Sequence, residues 1–271
     1  MYSLPSHALE FERLDLQHGI LTSTFGGLAI APEIREALQM PACKVLDVGC
    51  GSGTWIKSVS LSHPHSECHA CDVASVDSFE GFRVSFRQAD VSHRLPYDDA
   101  SFDVVQMRFL ILALRIEQWP AALREIKRVL KPGGYAQLLE PDGEIRSSNR
   151  VVMGDKTILW NAYGPLEAIR AKGGDPNAAR DLGKLVSATP PLDIVFEAHL
   201  PVSMSRSDTQ LYGRAMTTNY ASLIRLLAPA YAQYANVTPE AYVEMCDAML
   251  DESDGTDAHN LMAGVVARRR A

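Results

Sequence analysis

The chain contains no uninterrupted apolar run of roughly eighteen residues, so it offers no helix able to span a bilayer. Its opening, MYSLPSHALEFERLDLQ, lacks the basic start and continuous apolar stretch of a secretory signal. Positive charge is not in excess either. Twenty-six Lys and Arg against 33 Asp and Glu leave a formal net charge of −7, which disfavours a grip on phosphate backbones and sets nucleic acid and membrane aside as partners. The run Arg268-Arg269-Arg270 reads as a solvated tail. Cysteine is sparse and odd in number: Cys43, Cys50, Cys68, Cys71 and Cys246 are scattered, as reduced thiols are, and form no disulfide framework. Internal repeats, low-complexity tracts and long linkers are missing too. Together these absences predict a soluble, cytoplasmic protein.

What is present suits one substantial core, since 46% of the 271 residues are hydrophobic. Between residues 43 and 140, short β-rich runs alternate with helical patterns: CKVLDV, TWIKSVSLS, ECHACD, RVSFRQ, FDVVQM, a helix, then GYAQLLE. That rhythm predicts an α/β fold, a parallel sheet covered by helices on both faces. In the helix before the last of these strands, Leu123, Ile126, Val129 and Leu130 share a face, Pro120 occupies the first turn, and Lys131-Pro132-Gly133-Gly134 ends it. After Glu140 the strand rhythm stops. Ile158, Leu159, Tyr163, Leu166 and Ile169 then fall at helical spacing around Pro165 and predict an inserted, kinked helix. Further helices follow from Met216, Tyr220, Leu223, Ile224 and Leu227, and from Tyr242, Met245, Cys246 and Met249 behind a Thr238 cap and Pro239. The organisation expected is a single domain over residues 1–271. It comprises a helical cap at 1–40, a core at 43–140, helical lid segments at 150–190 and 205–255, and closing strands at 192–199 and 260–268.

The chemistry gathers at strand ends. A strand ending in Asp47 and running into Gly49, Gly51 and Gly53 brings backbone close to a ligand at the carboxyl edge of a parallel sheet. Glycines at alternate positions differ from the G-x-G-x-x-G dinucleotide fingerprint and suit an amino-acid-bearing nucleoside. Asp47 is placed to orient an ammonium, directly or through water, while the loop amides around Cys50 receive a carboxylate. Asp72, followed by Val73, closes the second strand, where an acid can accept both ribose hydroxyls. Asp90 after the third strand can accept an exocyclic adenine amine while Val91 packs on the ring.

In this order LDVGCGSG resembles motif I of the class I S-adenosylmethionine (SAM)-dependent methyltransferases. Asp72 looks like their ribose acid, Asp90 like their adenine contact and LKPGG like their late turn. The resemblance covers residues 43 to 140. It implies a Rossmann-like, seven-stranded, mostly parallel sheet with an antiparallel last strand, supplied by DAHNLMAGVVARRR, and SAM as cofactor with S-adenosylhomocysteine as product. The flanks ERLDLQH, Phe25-Gly26-Gly27 and FDVVQMR further resemble the fungal LaeA-like methyltransferases of secondary metabolism. That likeness implies an N-terminal helix closing over SAM, with Arg13, Gln17, His18, Met107 and Arg108 along the cofactor cleft.

Methyl transfer mainly requires alignment and exclusion of water, and a proton acceptor only where the methyl acceptor is protonated. His18 is the first candidate base, because histidine titrates near neutrality, beside the blander reading of a hydrogen-bonding helix histidine. Glu140 and Asp142 follow the last core strand and are placed to face the cleft, or else to satisfy loop amides. Trp160, Tyr163, Tyr212, Met216 and Tyr220 are candidates for an apolar acceptor pocket, with ordinary core as the alternative. Cys68 and Cys71 have metal-ligand spacing, but on a strand they point to opposite faces, and no set of acids specifies magnesium, so no metal is expected. The expected activity is SAM-dependent methylation of oxygen or nitrogen on a small secondary metabolite. The alternatives are a LaeA-like SAM-binding regulator, nuclear in that case and working through a protein partner, and a methyltransferase-like enzyme of non-methylating chemistry. A homodimer is open under each.

Overall fold

The computed structural model describes residues 8–76, 79–147, 164–208 and 211–270. The five apolar core runs become β1 (Lys44–Val48), β2 (Glu67–Asp72), β3 (Val84–Gln88), β4 (Phe102–Arg108) and β5 (Leu130–Pro141). Two later strands, β6 (Leu192–Ser203) and β7 (His259–Arg269), complete a seven-stranded sheet in the order β3-β2-β1-β4-β5-β7-β6. Neighbours among β1 to β5 pair in parallel, and β7 runs antiparallel to both β5 and β6. The Rossmann-like sheet with an antiparallel last strand is therefore present, and that strand is inserted between β5 and β6.

The helices are α1 (Ala8–Thr24), α2 (Pro32–Leu38), α3 (Thr54–Ser62), α4 (Trp119–Val129), α5 (Pro165–Ala171), α6 (Leu182–Ser187), α7 (Leu211–Tyr231) and α8 (Pro239–Ser253). Alternation along the strands divides the core. Val45 and Val104 pack with Ile34, Ile56 and Val59 on one face, while Leu46, Val105 and Met107 pack with Leu123, Ile126 and Val129 on the other. Each fully buried Leu or Ile contributes about 1.5–3 kcal/mol, which gives α4 its hold on the sheet. A third cluster joins α1, α7 and α8 through Ile20, Leu21, Met216, Ile224, Tyr242 and Met249. The Thr238 hydroxyl accepts the Ala241 amide at 3.2 Å and caps α8 as its sequence requires.

Two local expectations are corrected. Lys131-Pro132-Gly133-Gly134 is no separate turn but the start of β5, where Leu130 pairs with Phe102 and Tyr135 with Val104 across a bulge. A Cβ at Gly134 would meet the carbonyl oxygens of Phe102, Asp103 and Lys131 at 3.0–3.1 Å, so glycine is required by that close approach. Pro165 opens α5 instead of kinking a longer helix. Ile158, Leu159, Trp160 and Tyr163 lie outside the described residues.

From β1 the chain moves outward through β2 to β3, then crosses back to β4 on the other side of β1. That reversal leaves a crevice at the carboxyl ends of β1 and β4. No helix among the described residues is long and apolar enough to cross a membrane.

Candidate functional site

The loop after β1 turns on glycines with positive φ: 65° at Gly49 and 55° at Gly51. At Gly49 a Cβ would fall 2.8 Å from the Leu110 side chain, and at Gly51 2.9 Å from Leu14 of α1. The backbone conformation thus demands glycine at both positions, and a side chain there would also have to displace Leu110 or Leu14. The turn is held from β2. The Cys71 carbonyl accepts the Gly49 amide at 2.8 Å and the Cys50 amide at 3.1 Å, while Asp72 Oδ2 accepts the Gly51 amide at 2.9 Å. Asp72 Oδ1 takes the Ala74 amide at 2.9 Å, so the acid fixes the loop and its own strand end together.

A cavity of about 300 Å³ opens over this loop. Among the residues singled out from the sequence, Gly49, Cys50, Gly51, Asp72, Val73, Asp90, Val91, Arg108, Arg13 and Gln17 line it, as do Met216 and Tyr220 of α7. Gly53 is set back as the left-handed N-cap of α3. Met107 does not reach the cavity: it alternates to the opposite face of β4 from Arg108 and is wholly buried in the core. Asp47 lies behind the wall, 1% exposed; among the described residues neither of its carboxylate oxygens has a close hydrogen-bond partner, and the Ile56 amide is the backbone donor that bears on it. Trp160 and Tyr163, and the side chain of Tyr212, fall outside the described residues.

The electrostatics follow from burial. Burial pushes the Asp47 carboxyl up to about 7, against the pull of the Arg108 charge. Burial first, then Arg108, drives His18 down to about 4, so its ring is neutral. Arg108 Nη1 donates to His18 Nδ1 at 3.3 Å, which leaves the proton on Nε2, 3.2 Å from Ser58 Oγ. His18 is also absent from the cavity wall. The residue expected as general base therefore supports Arg108, its free lone pair already taken.

Glu140 and Asp142 take the second of their two readings, satisfying backbone amides. Glu140 is fully buried, its two oxygens accepting the Leu110 amide at 2.9 Å and the Ile111 amide at 3.0 Å, and burial pushes it up to about 8. It ties β5 to the segment that follows β4. Asp142 accepts from Arg146 at 2.6 Å and from Arg180 at 2.7 Å. Its burial works upward, but these guanidinium groups and the Glu144 amide hold it below the ordinary carboxylate range. Asp90, expected at the adenine, does line the cavity. It also accepts from the amide and hydroxyl of Ser92 at 2.8 and 2.7 Å, which outweigh burial and hold its carboxyl below the ordinary carboxylate range.

Sequence reasoning missed several neighbours. Glu10 also lines the cavity and holds Arg13 through two 2.7 Å hydrogen bonds, a pairing signalled only by the three-residue spacing. Asn219 takes the remaining Arg13 contact at 2.9 Å. Asp15 of α1 accepts the hydroxyls of Ser52 and Thr54, clamping α1 to the start of α3. Gln137 donates to Gln106 at 2.6 Å and to the Leu28 carbonyl at 3.0 Å, pinning the chain after α1 beneath the sheet. Apart from Glu10–Arg13, these pairings cross from 31 to 206 residues of sequence and leave no local pattern.

Cys68 and Cys71 are buried on opposite sides of β2, in different hydrophobic clusters. Among the described residues no group of three or more His, Cys, Asp or Glu side chains is placed to hold a metal ion. The donor set instead fits SAM. A buried carboxylate stands behind a glycine turn, with acids at the ends of β2 and β3 along one cavity.

Comparison with known proteins agrees. Residues 45–134 match the family model described as a methyltransferase domain. The chain is 32% identical over 202 residues to the secondary metabolism regulator laeA of Coprinopsis cinerea, covering 70% of this chain and 50% of that protein. It is 33% identical over 146 residues to the N-methyltransferase verN of Clonostachys rogersoniana, covering 52% of this chain and 50% of that one. It thus spans about half the length of these two relatives. Among solved structures, phosphoethanolamine N-methyltransferase 2 of Haemonchus contortus, bound to phosphomonomethylethanolamine and S-adenosylhomocysteine, superposes with a TM-score of 0.54. That match is 15% identical and covers 95% of this chain and 58% of that chain. The chain belongs to the class I SAM-dependent methyltransferases, within their LaeA-like group.

Proposed function

We propose that this protein transfers the SAM methyl group to an oxygen or nitrogen of a small, largely apolar metabolite. The observation that carries this reading is the continuity of the cavity. It runs from Gly49, Gly51 and Asp72 to an apolar wall of Leu112, Met216, Leu223 and Met262, where an acceptor can meet the cofactor. Bound SAM supplies an electrophilic methyl on a sulfonium, and the protein's task is to align the acceptor with it and keep water out. In this reading Asp72 accepts the ribose hydroxyls, Asp90 and Val91 receive the adenine, and Arg13 and Gln17 close the site from α1. Segments 150–190 and 205–255 act as the lid, with Met216 and Tyr220 in contact with the acceptor. His18 and Glu140 are committed to Arg108 and to loop amides, so they act on the acceptor only through those partners.

The test is release of S-adenosylhomocysteine when the purified protein is incubated with SAM and a panel of apolar phenols, enols and amines. Product formation that requires both SAM and one panel member supports the reading. The likeness to a secondary metabolism regulator favours a second reading, a SAM-binding regulator that works through a protein partner. Under that reading SAM binds but no panel member is methylated. The compartment proposed is the cytoplasm for the enzyme and the nucleus for the regulator, which cell fractionation distinguishes.

A further inference from the structure

The face of α7 turned to the cavity carries Met216, Asn219, Tyr220 and Leu223, so two polar side chains sit within one apolar stripe. Asn219 is 2% exposed. Its amide orientation is fixed by its neighbour. An arginine can only donate, so the Oδ1 that accepts from Arg13 Nη1 at 2.9 Å leaves Nδ2 on the other side, toward Met216. There Nδ2 meets the Met216 sulfur at 3.7 Å, a weak acceptor for a group with two N–H bonds. The Tyr220 hydroxyl, by contrast, accepts from the side-chain amide of Asn260 on β7, a residue buried away from solvent. A buried donor matched as poorly as Asn219 Nδ2 is costly until a ligand brings it an oxygen.

We infer, on the reading that the cavity holds SAM and a small acceptor together, that Asn219 selects the acceptor by donating from Nδ2 to a carbonyl oxygen. The acceptor is then a neutral, largely apolar molecule that carries a carbonyl besides the hydroxyl or amine to be methylated. A carboxylate is the wrong oxygen for this place. Met216 and Leu223 lie one turn to either side on α7, and Arg13, the cation bonded to Asn219, has Nε and both terminal nitrogens engaged by Glu10 and Asn219. An acid would be buried there without a counter-charge. A carbonyl needs none, and it takes an N–H that now has only a thioether. Glu10 and Arg13 act as positioning residues, because they turn the amide so that its donor, not its oxygen, faces the acceptor.

Calorimetry on the full chain saturated with S-adenosylhomocysteine tests this with two probes of similar size. One is 3-hydroxyacetophenone, and the other is 3-ethylphenol, in which the carbonyl is replaced by a methylene. Asn219→Asp keeps an oxygen for Arg13 but has no N–H to donate, and Asn219→Ser is too short to reach. Each is expected to weaken 3-hydroxyacetophenone by about three- to tenfold, the scale of one neutral hydrogen bond, and to change 3-ethylphenol and S-adenosylhomocysteine by less than about twofold. If one variant does not fold, the other decides on the same difference. Equal weakening of both probes, no weakening of the ketone, or a wild-type protein that binds neither would overturn the assignment. Methyl transfer itself is decided separately. It is rejected if no member of the phenol, enol and amine panel leads to S-adenosylhomocysteine release. It stands without a carbonyl contact at Asn219 if Asn219→Asp methylates carbonyl-bearing and carbonyl-free members in the same ratio as wild type.

Discussion

Arg13 of α1 donates through Nη1 to Asn219 Oδ1 of α7 across 2.9 Å, joining side chains 206 residues apart at the wall of the cavity. The other face of the same guanidinium is held by Glu10 at 2.7 Å, and the side chains of this pair are 4% and 3% exposed. One arginine thus couples the helix over the glycine loop to the helix beside the apolar wall.

Removing that guanidinium leaves a buried carboxylate without its partner. Arg13→Met is expected to cost about 3–5 kcal/mol, the range for breaking one side of a buried ion pair. Urea unfolding would show it as a lowered midpoint, and the double variant Glu10→Gln with Arg13→Met should recover part of the loss. Equal stability of wild type and Arg13→Met would mean that the pair contributes nothing net.

Gly51→Ala adds a methyl where φ is 55° and where Leu14 stands 2.9 Å from the new atom. The left-handed backbone alone costs an alanine roughly 1–2 kcal/mol. S-adenosylhomocysteine affinity should fall by about tenfold or more, on the scale of 1.4 kcal/mol per decade. Adding Leu14→Ala should relieve the crowding but not the backbone, so calorimetry on the double variant is expected to show partial recovery only.

Asp47 predicts an unusual pH dependence. Its carboxyl rises from 3.8 to about 7 in the folded, cofactor-free protein, so between those values the folded state holds a proton that the unfolded state has lost. Its contribution to stability therefore falls as pH climbs from about 4 to about 7 and is level above, a total on the order of 4 kcal/mol. His18 is shifted in the opposite sense, so the quantity to measure is the difference between wild type and Asp47→Asn, by urea unfolding at pH 5 to 8. Binding of the SAM ammonium should also expel the Asp47 proton below about pH 7. Calorimetry in buffers of different ionisation enthalpy reads that release, and buffer-independent heats at pH 6 would contradict it.

Glu140→Gln keeps one carbonyl acceptor where two carboxylate oxygens now hold Leu110 and Ile111. One buried amide is left unsatisfied, at about 1–3 kcal/mol. The variant should melt earlier yet retain S-adenosylhomocysteine binding at temperatures where it is folded. A normal melting temperature would show that those amides do not depend on the acid.

How far the molecule could be read in advance depended on the range of the interactions concerned. The glycine turn was legible because β1, its loop and α3 are contiguous, and because positive φ and close approach restrict the residue type directly. Asp72 and Asp90 were legible for a related reason: in a parallel sheet the strand ends fall at one edge, so an acid after each strand must lie along one crevice. Thr238 and the face of α4 follow from local hydrogen bonding and periodicity. Met107 was misread because one residue along a strand reverses the face, and only the sheet shows which face holds the cavity.

The fates of His18, Glu140 and Asp142 were decided in three dimensions. Each has a side chain suited to proton transfer, but each meets its partner across a fold contact: His18 with Arg108 90 residues on, Glu140 with Leu110 30 residues back, Asp142 with Arg180 38 residues on. Residue type and spacing were sufficient to establish an α/β sheet and a SAM loop, since backbone geometry and strand polarity leave few alternatives. The assignment of charge to tasks needed the tertiary structure, because burial and, for His18 and Glu140, the nearest donor are not local in the chain, and they decide whether an acid or a histidine is free to act.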